Sequence, residues 1–288
     1  MKKKSLQEQD LFENYFKQVK EASDWLKAKT NNAQVILMMM LTGGIDGPEL
    51  LLTDKQEIVT TEIPYFPSAT VQGHSGKLIF GKLHGKGDVI LKGRFHYYEG
   101  LSPQQVVFPY FVLHQLGVQS LITVNAVGSI RNDLNAGQIV MVTDHINYLG
   151  QNPLRGIAFQ CARNQFTDMT NAYDAEYQKL AQKVAQEQNM ELKQGIYIAT
   201  SGPSFETKTE IKAFRQWGAD VVGMSLVFEV IACNFLGIKV LAFAAVANPA
   251  ADKHVSVMSH DEVLAAMKAM TPKISSLVCG CAREIVSL

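Results

Sequence analysis

The 288-residue chain predicts an α/β fold: a single domain with a mixed, largely parallel central β-sheet covered by helices. Three observations predict it. Apolar runs too short to span a bilayer, such as Val35–Leu41 and Val240–Val246, read as strands buried on both faces. From Pro103 onward, strand-like runs alternate with segments whose apolar residues recur at helical spacing. No Gly/Ser run, Pro-rich stretch or charge block interrupts the middle, so residues 1–288 read as one domain.

The elements follow in order. Leu11, Tyr15, Phe16, Val19, Ala22, Trp25 and Leu26 form the apolar stripe of an N-terminal amphipathic helix over about 8–28. Val35–Leu41 is a buried strand, with a tight loop at Thr42-Gly43-Gly44. Lys77–Leu83 and Asp88–Lys92 read as strands around a turn at His84-Gly85-Lys86-Gly87. Pro103 opens a helix running through Leu116, and Gly117 ends it. Strands at Ser120–Asn125, Gln138–Thr143, Gln194–Thr200, Val221–Gly223 and Lys239–Ala247 are interleaved with helices at Ala175–Asn189, Glu206–Trp217 and Ser225–Leu236. Residues 260–287 form the closing helix. Ligands in such folds bind beyond the carboxyl ends of strands, where several polar motifs of this chain fall.

Lys+Arg and Asp+Glu both number 27, and a protein built for nucleic acid carries a basic surplus instead. The basic start Met1-Lys-Lys-Lys4 is followed by Gln7-Glu8-Gln9-Asp10 rather than an apolar segment, which points to the cytoplasm and away from a membrane. Cys161, Cys233, Cys279 and Cys281 lack the paired spacing of a metal site and read as free thiols.

The chemistry-bearing motifs begin with Gly73-His74-Ser75-Gly76 and Gly93-Arg94-Phe95-His96-Tyr97-Tyr98-Glu99-Gly100. Glycines allow close backbone approach, Arg94 can grip two oxygens in a fork, and His74 and His96 can each donate one bond. That set suits a doubly charged oxyanion such as phosphate. In Asn125-Ala126-Val127-Gly128-Ser129, the amide of Ala126 can face an anion. Glu206, in Gly202-Pro203-Ser204-Phe205-Glu206-Thr207, is either a first-turn acid or an acceptor for ligand N–H groups, with Phe205 stacking on a flat ring. Ser225 reads as a helix N-cap that also points a hydroxyl at an anion. Asn248 can donate and accept toward a heterocycle, or merely hold a turn. His260, within Ser259-His-Asp-Glu-Val263, reads as part of a helix start.

In this order the motifs resemble the trimeric purine nucleoside phosphorylase family, over roughly residues 34–270. The blocks are the two glycine–histidine motifs, Asp144-His145-Ile146-Asn147, Gln151-Asn152-Pro153-Leu154-Arg155-Gly156, Gly-Pro-Ser-Phe-Glu-Thr and Gly-Met-Ser-x-Val-x-Glu. The resemblance implies the nucleoside phosphorylase fold and a homotrimeric glycosyltransferase of purine salvage. It implies reversible phosphorolysis of purine ribonucleosides or deoxyribonucleosides, inosine and guanosine, to base and (deoxy)ribose 1-phosphate. By the same resemblance His74, Arg94, His96, Ala126 and Ser225 hold phosphate. Tyr98 touches the ribose, Met224 packs on it and His260 reaches the 5′-hydroxyl. Phe205 stacks near the base, while Glu206 and Asn248 bond its edge. His96, Glu206 and Asn248 are the residues expected to act in the reaction. Phosphate is a co-substrate, and no metal or organic cofactor is implied.

The chain departs from the family in three places. The usual Gly-Ser-Gly-Leu-Gly loop reads Met40-Leu41-Thr42-Gly43-Gly44-Ile45-Asp46-Gly47, where Thr42 replaces the serine if the alignment shifts by one and Asp46 repels an anion. Ala247 stands for the threonine before Asn248, and Asn-Ala-Ala-Gly-Gly is Asn125-Ala126-Val127-Gly128-Ser129. The phenylalanine donated across the subunit interface falls near Ala162. The altered loop leaves two alternatives: a slow phosphorylase or nucleoside hydrolase, and a purine-binding protein without catalysis.

Overall fold

A computed structural model describes residues 6–41, 45, 47–68, 76–83, 85–160, 165–252 and 260–288. The first helix, α1 (Leu6–Lys29), buries Tyr15, Val19, Ala22 and Leu26, the stripe expected of an amphipathic helix. Tyr15 meets Phe108 and Phe111 edge-on, each at 5.6 Å, fastening α1 to α2 (Pro103–His114). In α2, Ser102 caps the start through a capping box. Gly117, at φ 107, lets the chain leave the far end.

Among the described residues, nine strands make one sheet. They are β1 (Leu37–Leu41), β2 (Thr53–Val59), β3 (Lys77–Leu83), β4 (Lys86–Lys92), β5 (Ser120–Ser129), β6 (Ile139–Asn147), β7 (Lys193–Ala199), β8 (Val221–Gly223) and β9 (Lys239–Pro249). Their order is β2-β3-β4-β1-β5-β8-β7-β6-β9, and β9 pairs again with β5. The second half of the sheet therefore closes into a ring, β5-β8-β7-β6-β9, while β1 to β4 extend from it as an open wing. Five of the nine pairings are parallel, as a mixed and largely parallel sheet requires.

Successive residues of the central strands feed opposite cores. Met38 and Met40 join the core with α1, α2 and α5 (Val227–Leu236), whereas Leu37, Met39 and Leu41 join the one with α3 (Ala175–Glu187) and α6 (His260–Ser287). Val240, Ala242 and Ala244 alternate with Leu241, Phe243 and Ala245 in the same way. This two-sided burial explains why both strands read as unbroken apolar runs.

Several boundaries differ from expectation. The strand β2 is absent from the sequence reading because its residues, Thr-Asp-Lys-Gln-Glu-Ile-Val, are exposed except for Ile58 on the sheet's edge. Strands β5 and β9 run on to Ser129 and Pro249 because they pair with each other along that length. The helix after Phe205, α4 (Lys208–Gln216), starts later than predicted because Thr207 caps it, so Glu206 lies before the helix and is no first-turn acid. Ser225 is likewise not the cap of α5. Leu226 occupies that position at φ 69, a strained conformation for a leucine, and no side chain caps the helix.

Candidate active site

Arg94 is the centre of the site. It follows β4 and is only 1% exposed, beneath the apolar sheet. Its Nη1 donates to Ser225 Oγ at 2.9 Å, and its Nη2 donates to Thr123 Oγ1 on β5. Its Nε lies 3.0 Å from Glu229 Oε1 on α5, an ion pair rather than an aligned hydrogen bond. The guanidinium is thus held in plane by a strand, a helix and the turn between β8 and α5. The backbone N–H of Ser225 donates to Tyr197 Oη at 3.2 Å, so Ser225 is anchored at both main chain and hydroxyl.

His96 stands two residues further on and is buried. Glu99 Oε1 accepts both the His96 backbone N–H at 2.9 Å and Nδ1 at 2.8 Å. A carboxylate only accepts, so this contact places the proton on Nδ1 and leaves Nε2 as the ring's acceptor. Burial holds the imidazole below its ordinary pKa, the Glu99 bond opposes that, and the charge of Arg94 adds to it. The Tyr98 ring stacks on His96 at 4.6 Å with planes 16° apart. Burial raises its phenol to about 12.

A second set of groups stands at the ends of β7, β8 and β9. Thr200, just past β7, donates its backbone N–H to Gly223 O at 2.9 Å and its hydroxyl to Glu206 Oε1 at 2.8 Å. Burial lifts the Glu206 carboxyl above its usual range, and the Thr200 bond draws it partly back. Phe205 beside it is 41% exposed, a flat face open to a ligand. Gly202, at φ 60, brings its backbone against Met224 and Tyr98: a Cβ there would lie 2.4 Å from Met224 Sδ and 3.4 Å from Tyr98 Cδ1. Asn248 is half-buried and donates Nδ2 to Pro249 O at 2.8 Å. It pairs in register with Gly128 on β5, two residues beyond Ala126.

The structure therefore gathers Arg94, His96, Tyr98, Ala126, Met224, Ser225, Glu206, Phe205 and Asn248 at the ends of adjoining strands or in the loops leaving them. Thr42, His74 and Ala162 lie outside the described residues, as does the side chain of His260, whose backbone opens α6. Sequence reasoning assigned no role to Glu229, Glu99, Thr123, Thr200 or Tyr197. The signal for Glu229 was present, a lone acid in the otherwise apolar run Val227–Leu236. Glu99 stood three residues past His96 in a quoted motif. Among the described residues no group of three His, Cys, Asp or Glu could hold a metal ion, and no helix is long and apolar enough to cross a membrane. Cys233, Cys279 and Cys281 are free, and burial raises the Cys279 thiol to about 11.

A family model described as the phosphorylase superfamily matches residues 40–283, which sets the class of protein that this fold and site define. Relatives narrow it. The chain is 43% identical over 203 residues to purine nucleoside phosphorylase 1 of Bacillus subtilis (strain 168), covering 70% of this chain and 75% of that one. It is 37% identical over 270 residues to purine nucleoside phosphorylase of Rattus norvegicus, covering 91% and 93%. The solved structure of Schistosoma mansoni purine nucleoside phosphorylase with inosine superposes with a TM-score of 0.85 at 34% identity, covering 93% of this chain and 96% of that one. The chain belongs to the purine nucleoside phosphorylase family.

Proposed function

We propose that the protein catalyses reversible phosphorolysis of purine ribonucleosides and deoxyribonucleosides, with inosine and guanosine as substrates, to free base and (deoxy)ribose 1-phosphate. One observation carries this reading: a buried guanidinium and a half-buried carboxylate share one wall. Arg94 bonds Ser225, which adjoins Met224 and Gly223, and Gly223 bonds Thr200, which holds Glu206. The distance along that wall separates an anion site from an acceptor for a heterocycle's N–H groups. The family relatives and the inosine complex of a solved relative support the same reading.

In this mechanism a phosphate oxygen attacks C1′ while the C1′–N9 bond breaks, and the bonding electrons leave on the purine. Arg94, Ser225 and the Ala126 amide hold the dianion beneath a ribose that is gaining positive charge. His96, with its Nδ1 proton committed to Glu99, accepts a hydrogen bond from the remaining P–OH at Nε2, with no proton transferred. His74 and Thr42 complete the phosphate shell. Tyr98 and Met224 border the sugar, with His260 at its 5′ end, and Phe205 faces the base. Glu206 accepts N1–H and any 2-amino group. Asn248, whose Nδ2 donates to Pro249 O, presents its side-chain amide to N7, where the departing purine gathers negative charge. Phosphate is the co-substrate, with no other cofactor. The enzyme acts as a homotrimer in cytoplasmic purine salvage, without nucleic acid or membrane partners.

The test is to incubate inosine with and without phosphate and follow hypoxanthine. Phosphate-dependent release is the expected result. The unorthodox loop at Thr42–Gly47 favours two competing readings, a slow phosphorylase or hydrolase and a purine-binding protein, and phosphate-independent release would establish the hydrolase. No release in either arm would leave a purine-binding protein.

A further inference from the structure

We propose that Glu229 is a positioning residue for phosphate, acting through Arg94; the inference rests on the phosphorolytic reading above. Arg94 and Glu229 are 1% and 2% exposed, and their side chains approach to 3.0 Å. An isolated charge buried this deeply carries a large desolvation penalty, and the facing carboxylate offsets it for the Arg94 guanidinium. Glu229 also meets the guanidinium on its Nε edge. Thr123 and Ser225 hold the Nη2 and Nη1 ends, so the three contacts leave the fork a single orientation.

Two physical effects of Glu229 oppose one another. Its negative charge works against an incoming dianion, whereas its grip on Nε presents the fork to that dianion. For a buried arginine whose Nη ends are fixed by Thr123 and Ser225, the second effect is the larger. Loss of the acceptor frees the guanidinium to rotate or to draw its loop outward toward water.

The experiment uses the full chain and two variants. Glu229→Met keeps the volume without an acceptor, and Glu229→Gln keeps an acceptor without charge. In Glu229→Met the KM for phosphate is expected to rise about tenfold or more while the KM for inosine stays within about twofold, with Glu229→Gln lying between it and the wild type. The rise in melting temperature that inorganic phosphate gives the wild type should shrink in the same order. A phosphate KM at or below the wild-type value in Glu229→Met would overturn the proposal, because Glu229 would then only offset charge. A parallel rise in both KM values would overturn it too, as a general loss of structure. Should the variants not fold, a crystal structure of the wild type grown with phosphate decides. The proposal requires Glu229 within about 4 Å of Arg94 Nε and phosphate oxygens on the guanidinium. A wild type that binds phosphate by melting shift yet never cleaves inosine refutes the enzymatic reading and leaves the positioning role standing.

Discussion

Burial pushes the Glu206 carboxyl above its ordinary range, and the Thr200 hydroxyl 2.8 Å away draws it partly back. In the proposed function Glu206 takes N1–H and a 2-amino group as a carboxylate, so Thr200 widens the pH range over which the base is held. In Thr200→Val that restraint is gone, and the acid limb of the kcat/KM profile for inosine should move to higher pH. An acid limb that stays in place would separate Thr200 from the reaction. The fold binds the Glu206 proton more tightly than the unfolded chain does. Its contribution to stability is therefore full at low pH and lost as pH rises from the usual carboxylate range through the raised pKa. Arg94, His96 and Glu206 were legible in the sequence because charged and imidazole side chains beside glycines are rare outside sites. Glu229 stood out as a lone acid in an apolar run, but nothing in the spacing linked it to Arg94 far back in the chain, and the bond from Thr200 to Glu206 depends on how the loop between them bends.

The junctions between strand and helix carry most of the site, and they tolerate little change. At the end of β8, a Cβ on Gly223 would stand 2.3 Å from Tyr197 Oη, the atom that accepts from the Ser225 amide. Gly223→Ala should therefore destabilise the protein by about 1–3 kcal/mol, measured by urea unfolding. An unchanged unfolding midpoint would mean that Tyr197 moves aside at no cost. At this scale the sequence reading succeeded where an element is buried on both faces or bounded by glycine and proline, as in β1, β3, α2 and β8. It failed at β2, whose charged residues face water along an edge. It placed the start of α4 too early because Thr207 and Glu210 form the capping box within a stretch that is helix-compatible throughout.

For the molecule as a whole, β1, β5, β6 and β9 feed both main cores, while β7 and β8 join the first core to a smaller cluster around Ile198, Ile211, Phe214 and Val222, which argues for cooperative unfolding of a single domain. One thermal transition is expected, and inorganic phosphate at a hundred times its Kd should stabilise the fold by about 2.7 kcal/mol. Two resolved transitions would divide the wing from the ring. The alternation of strands with helices announced the sheet, but its closure was not legible, because local periodicity says nothing of β9 returning to β5. That closure gives β5 three neighbours: β1, β8 and β9. Folding of the nascent chain inherits an order from it. Arg94 leaves the ribosome long before Ser225, its hydrogen-bond partner 131 residues later, and before Glu229 beyond that. Until both arrive, the arginine keeps its hydration and the apolar strands beside it cannot seal, so burial of the sheet's centre waits on the C-terminal third of the chain.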